Sequence, residues 1–211
     1  MKTILTIDFD IVMEPSIALY NDKVPGESWD SLLMYPQMQL LQMNSAHYAK
    51  LSVLLDVLNH KENIPIYFID NHDRILTYLP KDEKINLINI DHHHDLGYPD
   101  NKQDNEIHCA NWVKKLYEQN RINEYTWINN AESTYPSDEE QELISYDISL
   151  EMYDINLMPL PDIVCICLSP QWVPPQYIPL FTAWVHLTSL HHHKAIDIDH
   201  GVYKDEENIN N

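Results

Sequence analysis

An α/β fold with a mostly parallel central sheet is what this 211-residue sequence predicts. Short apolar runs alternate with segments of helical period, the order that builds such sheets. The strand-like runs are apolar on both faces, as strands covered by helices on two sides must be. Three of the runs end in polar clusters: Asp8/Asp10, Asp70-Asn71-His72-Asp73, and Asp91 to Asp95. Ligands of open parallel sheets bind beyond the carboxyl ends of the strands, so those clusters belong to the same picture. The expected architecture is a three-layer sandwich in a single domain over 1–204, with 205–211 as a disordered polar tail.

Taken in order, Lys2–Phe9 reads as a buried strand, and the proline-containing stretch to about Met43 as loop with a short helix. Ser45–His60 places Ala46, Leu51, Leu54, Leu55 and Leu58 at helical spacing. Ile64–Ile69 reads as a strand, Arg74–Leu79 as a short helix and Ile85–Ile90 as a further strand. The pattern over Glu106–Gln119 is helical and that over Tyr125–Ile128 strand-like, while the acidic segment 132–142 reads as solvated loop. Ile163–Leu168 is a continuous apolar strand, and Gln176–His192 a helix entered through prolines.

Composition narrows the function. Thirteen basic against 33 acidic residues give a formal charge of −20, which disfavours a phosphate-tracking, nucleic-acid-binding surface and favours a cationic ligand, either metal or basic peptide. The glycines are Gly26, Gly97 and Gly201, too few to write a P-loop or a dinucleotide fingerprint. Cys109, Cys165 and Cys167 make no disulfide framework, no apolar run reaches membrane-spanning length, and Met1-Lys2 opens no signal peptide. A cytoplasmic protein without membrane contact is the simplest expectation.

The chemistry concentrates at Asp91-His92-His93-His94-Asp95. In an extended segment alternate side chains share a face, so Asp91, His93 and Asp95 should converge while His92 and His94 point away. Two carboxylates and an imidazole are costly to bury together without a metal ion. Asp8, Asp10 and His72 are candidates at neighbouring strand ends, with Asp197/Asp199 as a rival acidic pair. His191-His192-His193 diverge around a helix end, Trp112 reads as core packing, and Cys165 and Cys167 as small buried hydrophobes.

On these residues the chain resembles the arginase/deacetylase (ureohydrolase) superfamily. In that family a D-x-H-x-D motif ends one strand, here Asp91 to Asp95; an earlier histidine ends another, here His72; and a D-x-D ends a third. The downstream strand V-C-I-C-L-S-P (Val164–Pro170) lacks both aspartates, whereas T-I-D-F-D-I-V-M-E-P (Thr6–Pro15) carries them. The resemblance therefore implies a D-x-D strand moved to the N-terminus, as in a circular permutation. Within the superfamily the chain most resembles the peptide arginases of ribosomal peptide natural-product biosynthesis. D-H-H-H-D-L-G-Y (Asp91–Tyr98), C-A-N-W-V (Cys109–Val113), T-W-I (Thr126–Ile128) and L-S-P-Q-W-V-P-P (Leu168–Pro175) carry that likeness.

The resemblance implies two Mn²⁺ ions bridged by Asp8 and Asp91, with His72 and Asp95 completing one site and His93 and Asp10 the other. It implies a hydrolase converting arginine side chains of a precursor peptide to ornithine and urea. His108 would be the loop histidine that shuttles protons, and Asp95 is counted with it among the catalytic groups. Cys167 stands where an arginase has the glutamate that meets the guanidinium, so Glu14 or Glu132 would have to substitute. Three alternatives stay open: a haloacid-dehalogenase-type phosphatase on Asp8-Phe9-Asp10-Ile11-Val12, a DHH-type phosphoesterase on Asp91-His92-His93, and a non-catalytic relative that binds a basic peptide.

Overall fold

The computed structural model describes residues 1–14, 42–61, 63–97, 106–130, 133, 136–170 and 172–191. Among them six strands form one sheet: β1 (Lys2–Asp8), β2 (Ile66–Ile69), β3 (Ile85–Ile90), β4 (Ile122–Asn129), β5 (Tyr146–Ser149) and β6 (Ile163–Cys167). Their spatial order is β2-β6-β1-β3-β4-β5, and every pairing is parallel. The α/β sandwich expected from the sequence is the fold observed.

Alternation along the central strands sorts side chains to two cores. Leu5 and Ile7 of β1, Ile88 and Ile90 of β3, and Val164 and Ile166 of β6 face one layer. That layer holds α1 (Ser45–Asn59) and the long C-terminal helix Ile178–His191. Ile4, Leu87, Cys165 and Cys167 face the other, with α2 (Trp112–Glu118) and the 3₁₀ segment His72–Thr77. Continuing the alternation one step past each apolar run puts Asp8 and Asp91 on this second face, above its packed core. Successive strands thus deliver their last polar side chains to the same place.

The elements around that place are fixed by named contacts. Asn44 caps α1, its Oδ1 accepting from the Ala46 and His47 amides at 3.1 Å each. Phe9, just past β1, stands edge-on to Phe181 and Trp184 of the C-terminal helix with centroids 5.5 and 5.0 Å away and to Tyr48 of α1 at 6.3 Å, which anchors the 3₁₀ turn Phe9–Val12 against both long helices. His47 reaches the same turn through Nδ1, 3.0 Å from the Ile11 carbonyl.

Several expectations need correction. The helix expected over Glu106–Gln119 begins only at Trp112, because Asn111 spends its side chain on a preceding turn: Nδ2 donates to the Glu106 carbonyl and Oδ1 accepts from the His108 amide. The segment 132–142, read as loop, contains α3 (Asp138–Gln141), started by a Ser137/Glu140 capping box. Strand β5 had no counterpart in the reading of the sequence; the C-terminal helix, α4, is Ile178–His191. Residues 205–211, His192, His193 and the rival pair Asp197/Asp199 lie outside the described residues. No helix among the described residues is long and apolar enough to cross a membrane.

Candidate metal centre

Chain direction changes at the crevice between β1 and β3: the connection after β1 leads past β6 to β2, and that after β3 leads outward to β4. Such a switch point opens a gap at the carboxyl edge of the sheet, and ligands bind there. Asp8 and Asp10 lie on one side of it, Asp91, His93 and Asp95 on the other, and His72 enters from the turn after β2. All six are buried.

His72 Nδ1 lies 3.3 Å from Asp8 Oδ2, 3.1 Å from Asp91 Oδ2 and 3.0 Å from Asp95 Oδ2. It has hydrogen-bonding geometry to none of them. On the other side His93 Nδ1 lies 2.9 Å from Asp10 Oδ2 and 3.8 Å from Asp91 Oδ1. Neither oxygen of Asp10 meets a donor in hydrogen-bonding geometry. Ligand atoms of Asp8, His72 and Asp91 form one group within 4.8 Å, and those of Asp10, Asp91 and His93 a second. Asp91 stands in both groups and Asp8 in the first alone.

Four carboxylates against two imidazoles leave excess negative charge even with both rings protonated. An unsatisfied buried polar atom costs about 1–3 kcal/mol, and a charged one more. A multivalent cation answers both problems, since it accepts several oxygens at once where a single N–H can serve only one direction. The donor set of carboxylate oxygens and imidazole nitrogens fits a hard or borderline divalent ion.

Proton affinities in the cluster tell the same story. Burial opposes a charged His72 ring, yet the neighbouring Asp91 and Asp95 carboxylates carry its pKa well above the ordinary histidine value. His93 overcomes its burial through Asp10 and Asp91 and is raised to about 10. Burial and then Asp91 raise Asp95 to about 7; burial, Asp10 and Asp91 raise Asp8 well above the carboxylate range. Asp91 overcomes burial through His72 and His93 and falls to about 2. Protons on the histidines and on Asp8 and Asp95 take the place a cation would fill.

Supports surround the cluster. Thr6 Oγ1 lies 2.6 Å from His72 Nε2, leaving Nδ1 turned to the carboxylates. Asn89 Nδ2 donates to Asp91 Oδ2 at 3.2 Å, and the His93 amide to Asp91 Oδ1 at 2.8 Å. Trp112 Nε1 donates to Asp95 Oδ2 at 2.5 Å, and Ser169 Oγ to Asp8 Oδ2 at 2.5 Å. Partners of this kind orient ligands and tune their basicity. Trp112, read from the sequence as packing alone, therefore also positions an acid. Ser169 and Thr6 gave no signal in the sequence, because both act across distant chain segments.

The route to convergence differs from the one expected. Strand β3 stops at Ile90, and Asp91 to Asp95 is a bent segment whose Asp95 adopts φ 54°. Its first bend is closed by the Asp91 carboxylate on the His93 amide rather than by extended alternation. A left-handed φ at a non-glycine residue costs roughly 1–3 kcal/mol and is typical of functional sites. His92 still turns elsewhere, with Nδ1 3.1 Å from Asn130 Oδ1, and His94 Nδ1 accepts from the Leu96 amide.

The remaining candidates are placed less centrally. His108 is half-buried in the turn before α2, its Nδ1 accepting from the Ala110 amide at 3.3 Å. Glu14 is exposed and joined to the fold by its backbone amide on the Gln42 carbonyl. Glu132 lies outside the described residues. Cys167 is fully buried beside Asp8 in the sheet register, its Sγ 3.2 Å from Ser169 Oγ. Burial, followed by the charges of Asp95 and Asp8, pushes the Cys109 thiol up to about 12, so it stays protonated and unreactive near neutral pH.

No family model, curated protein or solved structure matches the chain. The site's own geometry is therefore what speaks for function.

Proposed function

We propose that the protein is a dinuclear, metal-dependent hydrolase that converts arginine side chains of a precursor peptide to ornithine with release of urea. The observation that supports this reading most is the sharing of Asp91 between two buried Asp/His groups at the β1/β3 crevice. It agrees in part with the arrangement that the arginase/deacetylase likeness calls for: Asp8/Asp10 stand in for the absent downstream acidic pair and Asp91 is shared, while Asp8 falls in one group and Asp95 in neither. Mn²⁺ is the ion proposed, since oxygen and imidazole donors suit it and the thiol of Cys167 is turned to Ser169.

Bound divalent ions supply Lewis acidity and bring the pKa of a water toward neutrality. The chain's own residues do the rest. Asp91 and Asp8 would hold the ions at the crevice, their carboxylates oriented by Asn89 and Ser169. Asp95, held by the Trp112 indole N–H and 3.0 Å from His72, would complete the ligands of the ion on the His72 side. His108, in the turn before α2, is the proposed shuttle for the proton that the departing amine must gain. Water adds to the guanidinium carbon, the bond to the side-chain nitrogen breaks, and urea and the ornithine amine leave. A reducing, cytoplasmic setting belongs to the same reading, given the free thiols of Cys109, Cys165 and Cys167.

The test is to incubate the Mn²⁺-loaded chain with arginine-containing peptides and follow urea release and peptide mass together. One urea per arginine, with the matching mass loss, is the expected result. Metal uptake without urea from any arginine peptide would remove the arginase reading and leave the metal site.

A further inference from the structure

We propose that Trp172 forms the substrate-side wall of this site and selects a flat, cationic side chain by stacking it against the indole. The inference rests on the arginine reading and adds to it the residue that recognises the guanidinium.

Among the six clustered side chains, His93 is the most exposed, at 8 %, against 5 % or less for the others. The cluster therefore meets its surroundings on the His93 side. Trp172 stands there, half-buried, its ring centroid 4.8 Å from that of His93 and tilted by 50°. The turn that carries the indole is fixed by its own backbone. The Ser169 carbonyl accepts from the amides of Trp172 at 2.8 Å and Val173 at 3.2 Å, and Val173 is fully buried. Ser169 adopts φ 47° and fastens the same turn to Asp8 through its hydroxyl. Pro170, Pro174 and Pro175 further restrict the backbone around the tryptophan.

Of the residues expected to grip the guanidinium, Cys167 is fully buried against Ser169, Glu14 is exposed, and Glu132 lies outside the described residues. An indole face attracts a cation, and the guanidinium, planar and weakly hydrated, stacks where a compact ammonium does not. Planarity and charge would thus be read together at one wall.

The experiment uses the Mn²⁺-loaded full chain with a short peptide carrying one central arginine, and its lysine and citrulline counterparts. Affinity is read by calorimetry where no turnover occurs and as KM where it does. The wild type should prefer the arginine peptide over both others. Trp172→Phe should retain that preference, whereas Trp172→Leu should weaken the arginine peptide about tenfold. Metal content and the affinities for the lysine and citrulline peptides should stay unchanged in the Leu variant. An unaltered arginine affinity in Trp172→Leu overturns the inference, as does equal weakening of all three peptides or a wild type with no preference for arginine. Selective arginine binding without urea release, lost in Trp172→Leu, would uphold Trp172 and overturn the hydrolase reading alone.

Discussion

At Asp91 two ligand groups meet, so its removal should be felt at both. Asp91→Ala is expected to abolish metal binding, whereas Asp10→Ala should leave one ion per chain; metal analysis after desalting distinguishes the two. Trp112 offers a finer probe, because Trp112→Phe keeps an aromatic in the core while removing the donor to Asp95. Loss of such a support costs roughly 10–100-fold in metal affinity, measurable by competition with a chelator. The D-x-H-x-D spacing made Asp91, His93 and Asp95 legible in the sequence because the three ligands are local. Thr6, Trp112 and Ser169 were not legible as supports: their partners lie 66, 17 and 161 residues away, and only the folded sheet brings them together.

Among the elements, β1, β3 and β6 were readable because each is buried on both faces and so carries apolar residues on both, unbroken in β6 and interrupted by threonine or asparagine in β1 and β3. Strand β5 was not, since Tyr-Asp-Ile-Ser at the sheet edge is partly exposed and its residues carry no period-two contrast. Helix α3 was hidden in an acidic stretch whose Ser137-to-Glu140 box outweighs its polarity. The turn after β6 gives an element-scale prediction. Ser169→Gly and Ser169→Ala both lose the bond to Asp8, but only alanine must also adopt φ 47° with a Cβ. The glycine variant should be the more stable of the pair by about 1 kcal/mol, as read from denaturant midpoints.

For the whole molecule, the cluster ties stability to pH and to metal. Folded His93 keeps its proton to about 10, while the unfolded chain releases it near 6.5. Its contribution is therefore complete below 6.5 and lost as pH rises through 10. Asp95, raised from 3.8 to about 7, also makes stability fall with rising pH, over that lower window. Asp91 works in the opposite sense, its contribution present above 3.8 and lost as pH falls through about 2. The thermal midpoint of the metal-free chain should decline from pH 7 to 10, and added Mn²⁺ should raise it most at the alkaline end, where ligands are already deprotonated. The placement of β1 carries a last consequence, for synthesis. It leaves the ribosome before β3 and β6, yet these are its neighbours in the sheet, and Ile4 pairs with Leu87 on one side and with Ile163 on the other. Pairings of such long range form slowly and leave an apolar strand with open edges meanwhile. A nascent chain that has passed β3 can already bring Asp8 beside Asp91, but the Ser169 clasp must wait for β6. A divalent ion captured early by these groups would hold the sheet's central pair together during that wait, making it a folding aid.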